Sequence, residues 1–460
     1  MINLGLSRIS SLLRPLFNVH DPLPWRAIHI AGTNGKGSIA SYISTFLAHQ
    51  GYKVGRFTSP HLINRWDCIW LNSRVVDKDV FLAVENELRN RSTEEGIQAS
   101  EFEILTAVAF ELFTRHGMDF GVVECGLGGR LDATNALRPQ DVAVSVLAKV
   151  GLDHTEFLGS TLRDIAGEKC GIFKNGVPVV VDESNEQVIK DVVQEKLAVV
   201  NAGNGQGNAD GLWFRLTPNQ AKVLESNSIR DLELADHQKE NLFTALTAYY
   251  AAEQRQQPPQ SELQATSIQT PEQRIESTIQ NLSGLIRASH ASIRGRLEWL
   301  SLPAHLLPNS HQDQNVRVLI DGAHNPQSAS ALASYIDKTI RSSYSPPEQH
   351  ITWLLAMKRG KEITTILKTL IHEGDSAVTS SFGPVDGMPW VESLDAAEVA
   401  EQVRRLTSGT VDATSRGDIT DAIRRAVTLA DGGPLCIAGS LYLVGDVLRL
   451  VEEGLPKPWN

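Results

Sequence analysis

Short apolar segments alternate with longer amphipathic segments along this chain, beginning near residue 27. The apolar segments have the length of buried strands, and in the segments between them apolar residues recur at helical spacing. This alternation predicts an α/β fold in which helices cover a mostly parallel sheet. In the first half of the chain, strands are predicted at residues 27–30, 52–58, 120–125, 142–147 and 177–181, and a helix is predicted at 102–113.

A second alternating series begins late in the chain and predicts a smaller α/β domain. Its predicted strands are residues 316–320, 351–356, 377–381 and 435–438. We therefore expect two domains, at residues 1–294 and 295–460. The segment 251–271 is rich in Gln, Pro and Ser and is predicted to be a solvated insertion. The Gly- and Asn-rich segment 201–210 is predicted to be the exposed turn of a hairpin.

Composition narrows the class of protein. The chain has 460 residues, which is enough for two or three domains. Its net charge of -11 argues against a broad nucleic-acid-binding surface. No apolar run approaches the roughly 18 residues that a membrane-spanning helix requires. The four cysteines lie far apart without a C-x-x-C pair, so neither a disulfide framework nor a zinc ribbon is indicated. We expect a cytoplasmic protein that binds neither nucleic acid nor membranes.

A glycine-rich loop, GTNGKGS at residues 32–38, separates the first predicted strand from a helix. Glycines let backbone N–H groups close around phosphate oxygens, and the N-terminus of the helix favours negative charge. Lys36 would reach the β- and γ-phosphates. The strict Walker A pattern is not met, because Gly37 stands between Lys36 and Ser38. The alternative interpretation is a glycine turn in which Ser38 caps the helix.

Three further segments place polar side chains beyond predicted strands. Glu124 ends a predicted strand and is followed by Gly126, Gly128 and Gly129. A carboxylate at this position can hold a divalent cation against nucleotide phosphates. The alternative is a solvent-facing side chain, which is the more common location of an isolated Glu. His154, in GLDHTEFLG, is either a metal ligand or an ordinary polar residue. Lys169, in GEKCG at 167–171, could equally be a surface lysine.

Together these segments resemble the ATP-dependent Mur ligase superfamily, and within it the folylpolyglutamate synthase and dihydrofolate synthase family. The resemblance also includes TSPH at 58–61, GRLE at 295–298, DGAHNP at 321–326 and GSLYLVG at 439–445. TSPH and DGAHNP point to the folate branch rather than to the cell-wall branch. The resemblance implies a P-loop, Mur-ligase-like central ATPase domain followed by a smaller Rossmann-like C-terminal domain. The segment 66–69 reads WDCI, which departs from the usual Glu-Arg-Ile of the family and leaves the specificity of that loop open.

The resemblance also implies the roles of individual residues. The nucleotide would be bound by Gly32, Thr33, Asn34, Gly35, Lys36, Gly37, Ser38, Asn241, Arg296 and Asp321. Magnesium would be held by Ser59, Glu124, His154 and a carbamylated Lys169, with a second divalent ion or a monovalent cation left open. The substrates would contact Leu4, Gly5, Leu6, Arg8, Phe102, Glu103, Leu131, Asp132, Ala133, His324 and Ser440. The catalytic residues would be Lys36, Lys169 and His324.

The implied function is an ATP-dependent ligase, acting as a monomer and bifunctional in the manner of bacterial members. It would join L-glutamate to dihydropteroate and add γ-linked glutamates to reduced folates through an acyl phosphate. One alternative is a related ligase that adds an amino acid to a cell-wall nucleotide precursor or to another carboxylate. A second alternative, from a different class, is a regulator that binds ATP without turnover.

Overall fold

The strands of the first half form one sheet, and an interior strand of that sheet leads into the glycine-rich loop. The computed structural model describes residues 5–201, 213–215, 234–254, 270–343, 350–359, 362–414 and 419–453. The chain divides into two compact units, the first comprising Met1–His61 and Trp66–Ile293 and the second comprising Leu62–Arg65 and Arg294–Asn460. None of the described helices is long and apolar enough to cross a membrane.

The first unit contains a seven-stranded sheet in the order β4-β3-β2-β5-β1-β6-β7. The strands are β1 Arg26–Ala31, β2 Val54–Phe57, β3 Ile69–Leu71, β4 Arg74–Val75, β5 Phe120–Glu124, β6 Val142–Leu147 and β7 Val179–Val181. All neighbouring strands from β2 to β7 in this order run parallel, whereas β3 and β4 form an antiparallel edge. Because β1 lies between β5 and β6, the loops after these three strands meet at one edge of the sheet.

Helices cover both faces of this sheet. They are α1 Ser7–Val19, α2 Lys36–His49, α3 Lys78–Glu94, α4 Glu101–Arg115, α5 Thr155–Leu158, α6 Leu162–Lys169, α7 Gln187–Asn201, α8 Asp236–Glu253, α9 Pro271–Gln280 and α10 Leu282–Ala291. Alternate residues of the strands enter different cores: Ile28 and Val122 pack with α2 and α8, whereas Ala27 and Val123 pack with α1 and α4. Burial on both faces explains why these strands are apolar runs without polar alternation.

The second unit contains a six-stranded sheet in the order β12-β11-β10-β13-β9-β8, parallel except for β8. Its strands are β8 Glu298–Ser301, β9 Arg317–Ile320, β10 Thr352–Leu355, β11 Ser376–Thr379, β12 Val411–Ala413 and β13 Leu435–Ala438. Its helices are α11 Pro326–Thr339, α12 Ile363–Leu370, α13 Ala396–Arg404, α14 Ile419–Ala430 and α15 Leu441–Glu453. Two mostly parallel sheets flanked by helices confirm the predicted α/β class.

Every predicted strand is present, several of them one to three residues shorter than predicted. The predicted solvated insertion is wrong at both ends. Residues 251–253 form the last turn of α8, where Ala251 and Ala252 are buried, and Pro271 begins α9 with Thr270 as its cap. Residues 255–269 lie outside the described part of the chain. Of the predicted hairpin turn, Asn201 ends α7 and residues 202–210 are likewise not described.

Candidate active site

The glycine-rich loop follows β1 and ends where α2 begins. Gly35 caps α2 with a left-handed backbone at φ +85°, and a Cβ placed on it would lie 2.1 Å from Oδ1 of Asn241 in α8. The backbone N–H groups of Thr33 and Asn34 donate to the carbonyl of Lys149 at 2.8 and 3.1 Å. The loop is therefore held from two sides, by α8 and by the segment that follows β6, and the first turn of α2 provides N–H groups for an anion.

Lys36, Glu124 and Ser59 lie together beside this loop. Nζ of Lys36 is 3.6 Å from Oε1 of Glu124, and the backbone N–H of Ser59 donates to the other carboxylate oxygen at 3.4 Å. Lys36 also donates to the carbonyl of Thr33 at 3.2 Å. Three predicted site residues thus converge, each located after a different strand, β1, β2 or β5, and they place a cation and an anion beside the N-terminus of α2.

Lys169, at the end of α6, is buried behind the glycine-rich loop. Its Nζ donates to the carbonyl of Gly32 at 2.7 Å. Burial, reinforced by the charge of Lys36, lowers the pKa of Lys169 to about 7. A large fraction of this amine is therefore neutral and nucleophilic near neutral pH, unlike the amine of an exposed lysine.

His154 precedes α5 in a left-handed conformation with φ +52° and is about one third exposed. Nε2 of its ring is 4.0 Å from Oδ1 of Asp153, which is too long for a hydrogen bond. Among the described residues, no group of three or more His, Cys, Asp or Glu side chains is arranged to hold a metal ion. Of the four predicted magnesium ligands, Glu124 and Ser59 lie in contact, Lys169 lies against Gly32 of the glycine-rich loop, and His154 lies in the segment that follows β6. A carboxylate and a hydroxyl are hard oxygen donors of the kind that suits a divalent cation.

A second cluster surrounds the first turn of α4. Nε of Arg8 donates to Oε2 of Glu103 at 2.9 Å, and the same oxygen accepts the backbone N–H of Ser100 at 2.7 Å. The other carboxylate oxygen, Oε1, is buried without a hydrogen-bond partner among the described residues. Phe102 stacks on Phe57 with ring centroids 6.0 Å apart. The ion pair of Arg8 with Glu103 joins the first turn of α1 to the first turn of α4.

The loop that follows β5 completes this side of the site. A Cβ on Gly126 would lie 2.4 Å from the Phe102 ring, and a Cβ on Gly129 would lie 2.6 Å from the carbonyl of Lys169. The loop contains the predicted substrate residues Leu131, Asp132 and Ala133. Gly5, Leu6 and Arg8 lie at the start of the described chain, and Leu4 lies outside it.

The predicted residues of the second unit lie at the ends of its strands: Asp321 and His324 follow β9, Ser440 follows β13, and Arg296 precedes β8. The carboxylate of Asp321 accepts the backbone N–H groups of Leu297 and Ala323, each at 2.8 Å. Burial raises the pKa of Asp321, and the nearby Arg296 guanidinium partly opposes that shift. Nδ1 of His324 lies 2.8 Å from the carbonyl of Gly322, so this nitrogen bears the proton. Ser440 is buried, and its Oγ accepts the N–H of Tyr442 at the start of α15.

The sequence interpretation missed three buried residues beside the site: His29, Cys125 and Thr134. Nε2 of His29 lies 2.8 Å from Oγ1 of Thr134 and 3.2 Å from Sγ of Cys125. The available signal was a histidine in the middle of an otherwise apolar strand, because a buried polar side chain needs a partner.

These features are typical of an ATP-dependent ligase of the Mur type, and comparison with known proteins agrees. Residues 30–249 match the Mur ligase middle domain, and residues 303–450 match the dihydrofolate synthetase C-terminal domain. The chain belongs to the dihydrofolate synthase and folylpolyglutamate synthase family. The predicted family and enzyme class are thereby confirmed.

Relatives align over nearly the whole chain. The probable dihydrofolate synthetase of Schizosaccharomyces pombe is 32% identical, covering 98% of this chain and 99% of the relative. The dihydrofolate synthetase of Saccharomyces cerevisiae is 31% identical, covering 99% of both chains. The dihydrofolate synthase/folylpolyglutamate synthase of Bacillus subtilis is 28% identical, covering 97% of this chain and 95% of the relative.

Among solved structures, folylpolyglutamate synthase of Mycobacterium tuberculosis complexed with ADP has a TM-score of 0.70 at 23% identity, covering 99% of this chain and 96% of that chain. The Escherichia coli enzyme in complex with DHPP and ADP has a TM-score of 0.67 at 24% identity, covering 98% and 94%. These similarities confirm the fold.

Proposed function

We propose that this protein uses ATP to join L-glutamate to dihydropteroate, and that the same site adds further glutamates to reduced folates. The observation that carries the proposal is the convergence of Lys36 and Glu124, 3.6 Å apart, beside the N-terminus of α2. Support also comes from the match of residues 303–450 to the dihydrofolate synthetase C-terminal domain and from the two yeast dihydrofolate synthetases, which align end to end.

The first chemical step activates the acid. A carboxylate has no good leaving group, so a carboxylate oxygen of the pteroate attacks the γ-phosphorus of ATP, the bond to the β,γ-bridging oxygen breaks, and an acyl phosphate and ADP result. Lys36 and the N–H groups of the glycine-rich loop compensate the charge spread over the transferring group. Magnesium, which in this proposal is held by Ser59, Glu124, His154 and a carbamylated Lys169, would supply further charge compensation at the phosphates.

The second step forms the amide. The neutral amine of L-glutamate attacks the acyl carbon, the bond to the phosphate oxygen breaks, and inorganic phosphate leaves while the amine proton passes to solvent or to a base. No enzyme nucleophile is needed. In this proposal Arg296 and Asp321 contact the nucleotide, whereas His324 and Ser440 orient the incoming glutamate. The proton on Nδ1 of His324 leaves Nε2 as the nitrogen that can accept.

The third part of the proposal concerns Lys169. A neutral amine adds to CO2 and loses a proton, which produces an anionic carbamate with two oxygen donors. The lowered pKa of about 7 supports this modification, because an ordinary lysine would remain protonated. The carbamate would convert a buried cation next to Lys36 into an anion that can pair with magnesium and with Lys36 itself.

The test is ADP release by the purified protein with magnesium and L-glutamate, comparing dihydropteroate, tetrahydrofolate and a cell-wall nucleotide precursor as acceptors. Product masses are recorded in each reaction. We expect one glutamyl unit on dihydropteroate and one or more on tetrahydrofolate. Turnover on only one folate acceptor would restrict the proposal to that activity. Turnover only on the cell-wall precursor, or ATP binding without any turnover, would contradict it.

A further inference from the structure

A buried chain of hydrogen bonds connects the strand of the phosphate loop to the loop that follows β5. Nε2 of His29 in β1 lies 2.8 Å from Oγ1 of Thr134, and that hydroxyl lies 2.5 Å from Oδ1 of Asp132. All three residues are almost completely buried, with 0, 0 and 2% of their surface exposed. A polar chain this deep in the protein is retained only if its groups satisfy one another.

The protons of this chain can be assigned from its partners. Oδ1 of Asp132 accepts both the backbone N–H of Thr134, at 3.0 Å, and the Thr134 hydroxyl. The hydroxyl oxygen must then accept from Nε2–H of His29. Burial lowers the pKa of His29 to about 3, so the ring is neutral and carries this single proton. Nδ1, for which the described part of the chain offers no hydrogen-bond partner, is the unprotonated nitrogen.

The chain fixes the shape of the loop. Oδ2 of Asp132 accepts the backbone N–H of Leu127 at 2.7 Å. One buried carboxylate therefore joins the beginning of the loop, at Leu127, to its end, at Thr134. His29 then attaches the closed loop to β1, three residues before Gly32 opens the phosphate loop. The loop and the phosphate loop thus share one rigid connection that includes neither ATP-binding groups nor exposed side chains.

The position of this loop matters for the reaction because of what it contacts. It begins three residues after Glu124. Gly126, immediately before it, packs on Phe102, and Gly129 within it lies against the carbonyl of Lys169. An acid that receives the γ-phosphoryl must lie next to the phosphates. The loop approaches that region through Lys169, whose carbonyl faces Gly129 and whose Nζ donates to the carbonyl of Gly32 in the glycine-rich loop. Misplacement of reacting groups by about 1 Å can reduce the rate by as much as about 100-fold.

We propose that His29 is a positioning residue: through Thr134 and Asp132 it sets the loop of residues 127–134 at the place where the acceptor acid meets ATP. The inference rests on the proposed function, since it concerns the acid substrate of that reaction. Loss of the Nε2–H donor should impair use of the acid and leave nucleotide binding intact, because Lys36 and the glycine-rich loop keep their own contacts.

Two matched pairs of variants test it. His29→Gln keeps an N–H donor near the position of Nε2, whereas His29→Met has similar length and no donor. Thr134→Ser keeps the hydroxyl, whereas Thr134→Val has the same shape without it. We expect His29→Met and Thr134→Val to lower kcat/KM for dihydropteroate about 10- to 100-fold, with the ADP dissociation constant changed less than about twofold. His29→Gln and Thr134→Ser should recover most of the loss.

The outcomes separate the inference from the proposed function. A wild-type protein without acceptor-dependent turnover contradicts the proposed function and the inference together, before any variant is made. With an active wild type, equal losses in ADP affinity and in kcat/KM for the acid, or a His29→Gln variant as impaired as His29→Met, would show a merely structural role. If His29→Met does not fold, Thr134→Val decides the matter, and failure of that variant to fold would also overturn the inference.

Discussion

Nζ of Lys36 lies 3.6 Å from Oε1 of Glu124, so the cation of the glycine-rich loop and the carboxylate at the end of β5 form an ion pair. Both side chains are largely buried, with 15 and 5% of their surface exposed, which makes the interaction stronger than at the surface. The pair keeps both charges compensated in the absence of nucleotide. In the proposed reaction, Lys36 would contact the phosphates directly and Glu124 would act on them through magnesium.

Replacing Lys36 should abolish phosphoryl transfer. We expect Lys36→Met to lower kcat about 100- to 1,000-fold, because one preorganised cation at the transferring group is lost. The measurement is steady-state ADP release with saturating dihydropteroate and glutamate. Lys368→Met, which removes an equal charge from an exposed position of α12, is the control and should leave kcat unchanged. A Lys36→Met enzyme within threefold of wild type would contradict the assignment.

Gly35 should tolerate no side chain. A methyl group at this position would lie 2.1 Å from Oδ1 of Asn241 and would also strain the left-handed backbone. We expect Gly35→Ala to weaken ADP binding more than about tenfold, since the first turn of α2 or Asn241 must move. Gly96→Ala is the matched control, because Gly96 has φ +66° and open space around it. Calorimetric titration with ADP should find that control close to wild type, and equal effects in both variants would refute the role of the Asn241 contact.

The buried oxygen of Glu103 should select the acid substrate. Among the described residues Oε1 has no hydrogen-bond partner, and we expect a ligand N–H to fill that role. We expect Glu103→Gln to raise KM for dihydropteroate about tenfold and to leave KM for ATP unchanged, because one charged acceptor is replaced by a neutral amide. Glu101→Gln, two residues earlier on α4 and paired with Arg89, is the control. An equal change in both KM values would indicate general damage instead.

Carbamylation of Lys169 should depend on pH in a predictable direction. The lowered pKa of about 7 means that the neutral, reactive amine increases as pH rises from 6 to 8. With ¹³C-bicarbonate, a carbamate resonance should therefore grow over this range in wild type and be absent in Lys169→Arg. Activity at pH 8 should fall strongly in Lys169→Arg, since arginine cannot form the oxygen ligand. A wild-type spectrum without the resonance at pH 8 would contradict the modification.

Much of the fold could be predicted because its strands are buried on both faces and therefore read as apolar runs. The strands that were missed, β3, β4, β8 and β12, are short or lie at sheet edges with partly exposed residues, so they lack that pattern. The end of α8 was misassigned because the Gln- and Pro-rich composition that follows it obscured the buried Ala251 and Ala252. The composition of a segment is an average over many residues, so it cannot locate the residue at which a helix ends.

The sequence by itself determined the α/β class, the phosphate loop and the family, because these depend on local periodicity and on ordered motifs along the chain. Tertiary structure alone decided which polar groups meet: Lys36 with Glu124, Arg8 with Glu103, and His29 with Thr134, residues separated by 88, 95 and 105 positions. It also decided that Lys169 is buried next to another cation. Side-chain chemistry of this kind depends on burial and on neighbouring charges, which only the folded chain brings together.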